Sequence, residues 1–166
     1  PDYSSAASDV YKRQVQIDTD VEMLIPDNYI NSINERYSIY SELDNVKNEE
    51  ELTKFAIALK DRFGPIPAQV EELFNALRLR WVAKKLGFER IILKMNKLRC
   101  YFLENQQSPF YESPLFGKVM VYVQTSSHNG TLKQTSKHLL LVFEGIRTIH
   151  HARDLLVEME NGVSGE

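Results

Sequence analysis

The sequence predicts an α+β fold: an N-terminal extended strand, a three-helix region, then two β-hairpins forming an antiparallel sheet with two further helices. Three observations carry this. Helical apolar spacing, bounded by capping residues and glycines, fills the stretch from 27 to 87. Short alternating runs pair across small polar breaks between 90 and 143. Composition is that of an ordinary globular chain: 166 residues, 43% hydrophobic and 26% charged. A chain of this length buries roughly 70% of the surface it exposes unfolded, so it sustains its own core.

Each element follows from local chemistry. Val15, Ile17, Thr19, Val21 and Met23 alternate with Gln16, Asp18, Asp20 and Glu22, which predicts a half-buried strand or an extended connector. Pro26-Asp27 ends that run and is read as a helix start. Ile30, Ile33, Tyr37 and Tyr40 then recur at helical spacing up to Leu43. Asn48 caps a second helix with Glu51 three residues on, and Glu49 and Glu50 suit the positive end of the helix dipole. Leu52, Phe55, Ala56, Leu59 and Phe63 form its buried stripe. Gly64 is expected to end it in a left-handed conformation, and Pro65 blocks continuation. Pro67 begins a third helix with Val70, Leu73, Phe74, Leu77 and Trp81 inward, ending at Gly87. Arg90–Met95 and Leu98–Leu103 flank Asn96-Lys97, a plausible hairpin loop. Residues 108–113 read as loop. Between 115 and 124 both periodicities fit, and the Ser113-Pro114 start selects a helix. Thr131–Ser136 and His138–Phe143 form a second hairpin, and Thr148–Glu160 a closing helix.

The domain organisation read from this pattern is a leader over 1–14, a connector strand over 15–26, one domain over 27–160 and a flexible tail over 161–166. The chain opens on Pro1, not Met, so a piece of a longer polypeptide is expected. The leader lacks periodicity, and its string SAASDVYKRQ resembles a translated sequencing-adapter scar. It is expected to pack against nothing, Tyr3 and Tyr11 included.

Chemistry is scarce. The glycines form neither a phosphate-cradling loop nor a dinucleotide fingerprint, which argues against ATP hydrolysis here. His150 and His151 are adjacent and point about 100° apart on a helix, unlike a metal-binding i, i+4 pair. The Glu49–Glu51 run is explained by capping. Cys100 lies in a strand with no histidine nearby and reads as a core thiol. One cysteine, no apolar run near the ~20 residues of a membrane span and no signal-peptide pattern suit a reducing cytoplasm. A net charge of −3 and a pI near 5.9 disfavour a dedicated nucleic-acid binder. A local basic patch at Arg78, Arg80, Lys84 and Lys85, with Arg90 beyond it, keeps a nucleic-acid-binding accessory domain as the alternative. A small enzyme is the third possibility, but no constellation supports it. Ile57 and Ala58 lie off the main stripe of the second helix. That helix is therefore either buried on two sides or offers a surface to another domain.

The runs LIPDNYI (24–30), YSIYSEL (37–43), EEEL (49–52), LKDRFGPIP (59–67) and LRLRWVAKKLG (77–87) together resemble the C-terminal domain of the bacterial transcription-repair coupling factors (Mfd). The resemblance is clear from Val15 to Phe102 and looser from Phe110 to Glu160. It implies a non-catalytic regulatory domain of an ATP-dependent DNA translocase that acts on stalled RNA polymerase and recruits excision repair through UvrA. The domain itself would dock on a UvrB-like module of the same chain, mask the UvrA site and restrain the motor. ATP and magnesium would belong to the motor, with no cofactor in this piece, and residues 15–25 would connect to it. Docking candidates are Lys54, Ile57, Ala58, Asp61 and Arg62. Ala58 stands where many members carry an acidic residue, which would shift an inter-domain salt bridge to Asp61. Asp61 and Arg62 have a competing role in fixing the Phe63–Pro65 turn.

Overall fold

Ser32 opens the first helix of the computed structural model, which describes residues 14–126 and 130–165. Its hydroxyl accepts from the Glu35 amide, and α1 runs over Ile33–Asp44. This corrects the expected start at Asp27. Pro26 to Ile30 is a turn instead, with the Tyr29 and Ile30 amides both donating to the Pro26 carbonyl. The inward face is corrected with it. Ile39 and Leu43 are buried, whereas Ile33 and Tyr37 are 59% and 69% exposed. Ile30 is buried from the turn, before the helix begins.

The second helix, α2, spans Glu49–Phe63 with Asn48 as its cap. The Asn48 side chain accepts from the Glu51 amide at 2.9 Å, and the Glu51 carboxylate reaches back to the Lys47 amide at 2.8 Å. Gly64 ends it at φ 91°, ψ −168°. The φ is positive as expected, but the ψ takes it outside the left-handed helical region. The third helix, α3 (Ala68–Leu86), ends on Gly87 in the left-handed region. A side chain at Gly87 would collide with the Phe110 ring, so glycine is needed there for space as well as for φ.

The sheet is β1 (Gln16–Thr19), β2 (Phe88–Lys94), β3 (Lys97–Phe102), β4 (Gly130–Gln134) and β5 (Leu139–Glu144), in the order β1-β2-β3-β5-β4. Both expected hairpins form, β2-β3 and β4-β5. β1 joins in parallel to β2, so the sheet is mixed rather than wholly antiparallel. The first hairpin turns on Met95 and Asn96, one residue earlier than expected. Both have positive φ, the requirement of a type I′ turn, and Lys97 already pairs with Lys94. Pro109–Glu112, expected as loop, is a short 3₁₀ turn. Ser113 then caps α4 (Pro114–Thr125), the helix that its Ser-Pro start predicted.

Thr148 caps α5, which covers Ile149–Ser164. The tail expected over 161–166 is thereby corrected, because Val163 is buried and residues 161–164 continue the helix. The leader lies outside the described residues, apart from Gln14, which is exposed.

Two cores share one helix. Ile25, Ile30, Ile39, Leu43, Leu52 and Leu59 pack with Val70, Phe74 and Leu77 of α3 in a helical lobe. Ala76, Leu79, Val82, Ala83 and Leu86, on the other side of α3, pack on the sheet with α4 and α5. A helix buried on two sides is apolar nearly all round, which is why a single stripe did not describe it.

Candidate docking surface on the helical lobe

The outer face of α2 follows from helical arithmetic. Positions 50, 54, 57, 58 and 61 fall on one side of a helix turning about 100° per residue. The buried Leu52 and Leu59 face the other way, into the lobe. Ile57 is 59% exposed, and Lys54, Ala58, Asp61 and Arg62 are exposed as well. Of the two alternatives left by the sequence, burial of α2 on two sides within the described residues does not hold: Leu52 and Leu59 are its buried residues, and Ile57 and Ala58 lie on the exposed side.

Its charges are arranged around the apolar patch. Glu50 and Lys54 form an i, i+4 pair at 3.5 Å. Asp61 has no cationic partner among the described residues. Arg62 turns away from that face. Its Nη2 lies 3.1 Å from Glu35 of α1, and its guanidinium sits 4.8 Å from the centroid of the Phe63 ring. The turn after α2 is instead held by Tyr29, whose hydroxyl donates to the Gly64 carbonyl at 2.8 Å. The five predicted positions thus divide into four that share a face and one, Arg62, that ties α2 to α1.

The basic cluster does not come together as one patch. Arg78 is used internally: its Nε and Nη2 donate to the two Glu49 carboxylate oxygens at 2.9 and 2.7 Å. That bidentate bond holds the Glu49 carboxyl below its ordinary range and raises the Arg78 guanidinium. Lys85 is exposed about 20° from Arg78 in helical projection, and Arg80 and Lys84 project from another side of α3. Arg80 lies at an open cleft of about 550 Å³ beside β1, with Gln14, Gln16, Asp18 and Arg90 on its walls.

Sequence reasoning missed the network that Arg78 belongs to. Asn75, 6% exposed, accepts from Arg78 Nη1 at 3.0 Å and from Arg153 Nη1 at 2.7 Å. It also donates to Glu72 at 3.0 Å, and the other Glu72 oxygen accepts from the Ile149 amide at 2.9 Å, at the start of α5. These bonds link α2, α3 and α5 across the junction of the two cores. Asn75 bonds Glu72 and Arg78 at a spacing of three along α3, but no local spacing announces the links between elements, whose partners lie 29 to 78 residues apart.

Elsewhere the residues with chemical potential have structural partners. His150 pairs with Asp154 at 3.3 Å and contacts Arg153. Cys100 is fully buried, and burial pushes its thiol well above the ordinary range. Among the described residues no group of three His, Cys, Asp or Glu side chains could hold a metal ion. No described helix is long and apolar enough to cross a membrane.

A protein-family model described as the TRCF domain matches residues 19–113, more than half of the chain. The transcription-repair-coupling factor of Escherichia coli K12 is 34% identical over 83 residues, which is 50% of this chain and 7% of that protein. The transcription-repair-coupling factor of Rickettsia bellii RML369-C is 24% identical over 121 residues, 73% of this chain and 10% of that protein. The chain therefore spans about a tenth of the length of the curated relatives it matches. A solved C-terminal domain of a transcription-repair coupling factor superposes with a TM-score of 0.68 at 19% identity, covering 94% of this chain and 99% of that one. That likeness is one of fold.

Proposed function

This chain belongs to the TRCF domain family, and from that premise we propose that it is a non-catalytic docking domain of a transcription-repair coupling factor. In this reading the outer face of α2 docks on a UvrB-like module of the same polypeptide. Docking covers the surface that UvrA needs and restrains the ATP-dependent motor until RNA polymerase is engaged. One observation carries the reading: Ile57 and Ala58 are exposed at the centre of a face rimmed by Lys54, Glu50 and Asp61. A small apolar centre with a charged rim suits a contact that must hold and then release. Near-complete switching between docked and free states needs about 5.5 kcal/mol of differential binding, well within reach of an interface of this kind.

The test is binding in trans. The chain is titrated at low salt against the isolated UvrB-like module of a coupling factor, with both folded. Saturable binding is expected, together with at least tenfold weakening by Ile57→Asp. An unbound chain, or an Ile57→Asp variant that binds like the parent, would overturn the proposal. Charge reversal at Asp61 is expected to weaken binding less and to do so more strongly at low salt, as a rim contact does.

A further inference from the structure

Among the described residues, the core that packs with the helices lies on one face of the sheet, and a second face lies outside it. Register places its residues. Arg90 stands opposite Tyr101, which stands opposite Leu140, and Lys133 faces Leu140 from the edge strand. Next to them run Ile92, Arg99 and Val142, then Lys94, Lys97 and Glu144. None of these belongs to the core shared with α3, α4 and α5. The face therefore carries five cations, Arg90, Lys94, Lys97, Arg99 and Lys133, on a chain whose net charge is −3. Its two carboxylates are already engaged, Asp18 with Lys94 at 3.0 Å and Glu144 with Lys97 at 3.5 Å. Arg90, Arg99 and Lys133 have no acidic partner among the described residues.

We propose that this sheet face binds single-stranded nucleic acid, with phosphates on Arg90, Arg99 and Lys133 and a base on the Tyr101 ring. Two of the three aliphatic residues of the face are buried, Leu140 at 5% and Val142 at 4% exposure, and Ile92 is half-buried. A protein partner would look for an exposed apolar centre with few charges. This face presents the reverse, a cationic surface of the kind that nucleic-acid interfaces have. Tyr101 lies among the cations, with the Arg90 guanidinium 5.9 Å from its ring centroid and His138 edge-on at 5.5 Å. An aromatic ring set among basic side chains is a stacking platform that tolerates any base. Width selects the single strand. Five strands at about 4.8 Å spacing make a face roughly 19 Å across. That is too broad to enter a major groove about 12 Å wide.

The proposal is independent of the α2 surface, and its test separates the two. The whole chain is titrated into a labelled oligothymidylate of about 16 nucleotides and followed by fluorescence anisotropy. Binding is expected at about 50 mM salt, falling about 20-fold by 200 mM if three cations each displace a counterion. Arg90→Glu with Arg99→Glu should weaken binding at least tenfold and flatten the salt dependence. Tyr101→Ala should weaken it about tenfold with the salt slope kept. Lys85→Glu, on α3, should change nothing. Circular dichroism checks that each variant is folded, and the exposed Lys133→Glu, expected to weaken binding severalfold, stands in for any that is not. The proposal is overturned by absence of binding at low salt, by equal or tighter binding of duplex or of polyglutamate, or by a charge-reversed face that binds like the parent.

Discussion

Gly64 carries more of the fold than its size suggests. At φ 91°, ψ −168° it occupies a region in which a Cβ is strained, although the space around it is open. Gly64→Ala is therefore expected to cost about 1–3 kcal/mol through backbone strain alone, read as a lower denaturant midpoint with the slope unchanged. Cys100 makes the opposite case, a residue whose reactive group is silenced by its surroundings. Buried and with its thiol pushed up, it is expected to resist thiol reagents until the chain unfolds. Native labelling as fast as that in denaturant would contradict the structure. The sequence announced both residues, one as a helix terminator and the other as a core thiol. It did not announce Asn75, because a polar residue within an apolar helix gives no hint that Arg153 arrives from α5 or that Arg78 carries the link on to α2.

At the scale of elements, helix caps were the most legible feature. Asn48, Ser113 and Thr148 each accept from the amide three residues on, as their residue types and positions suggest. The first helix was misread because Pro26-Asp27 is also good turn chemistry, and the serine that does the capping follows five residues later. On α2, one buried face and one apolar exposed face predict a clean separation of effects. Ile57→Asp should leave stability within about 0.5 kcal/mol of the parent, since an exposed side chain loses little, while it weakens docking. A large drop in stability would place Ile57 in the core and remove the docking reading with it.

For the molecule as a whole, the question is whether the helical lobe and the sheet unfold together. They share α3, and the Glu49–Arg78–Asn75–Arg153 network ties α2 to α5 across it. Asn75→Leu removes an acceptor from two half-buried guanidinium groups and is expected to cost about 1–3 kcal/mol. The single tryptophan, Trp81, packs on the lobe and so reports on that half, while circular dichroism reports on both. The parent is expected to show coincident transitions by the two probes. Separated transitions in the parent would mean that the network does not couple the lobes.

The sequence by itself determined the α+β class, the capped helices, the two hairpins and the family likeness. All of these depend on residues within a turn or two of each other, or on short runs in a set order. Only the tertiary structure decided that β1 pairs in parallel with β2, that β3 lies against β5, that Arg78 is spent on Glu49, and that five cations from three strands share one face of the sheet. The physical reason is distance along the chain. A cap or a turn is satisfied by its own neighbours, whereas strand order and buried ion pairs are set by which distant surfaces bury the most apolar area together.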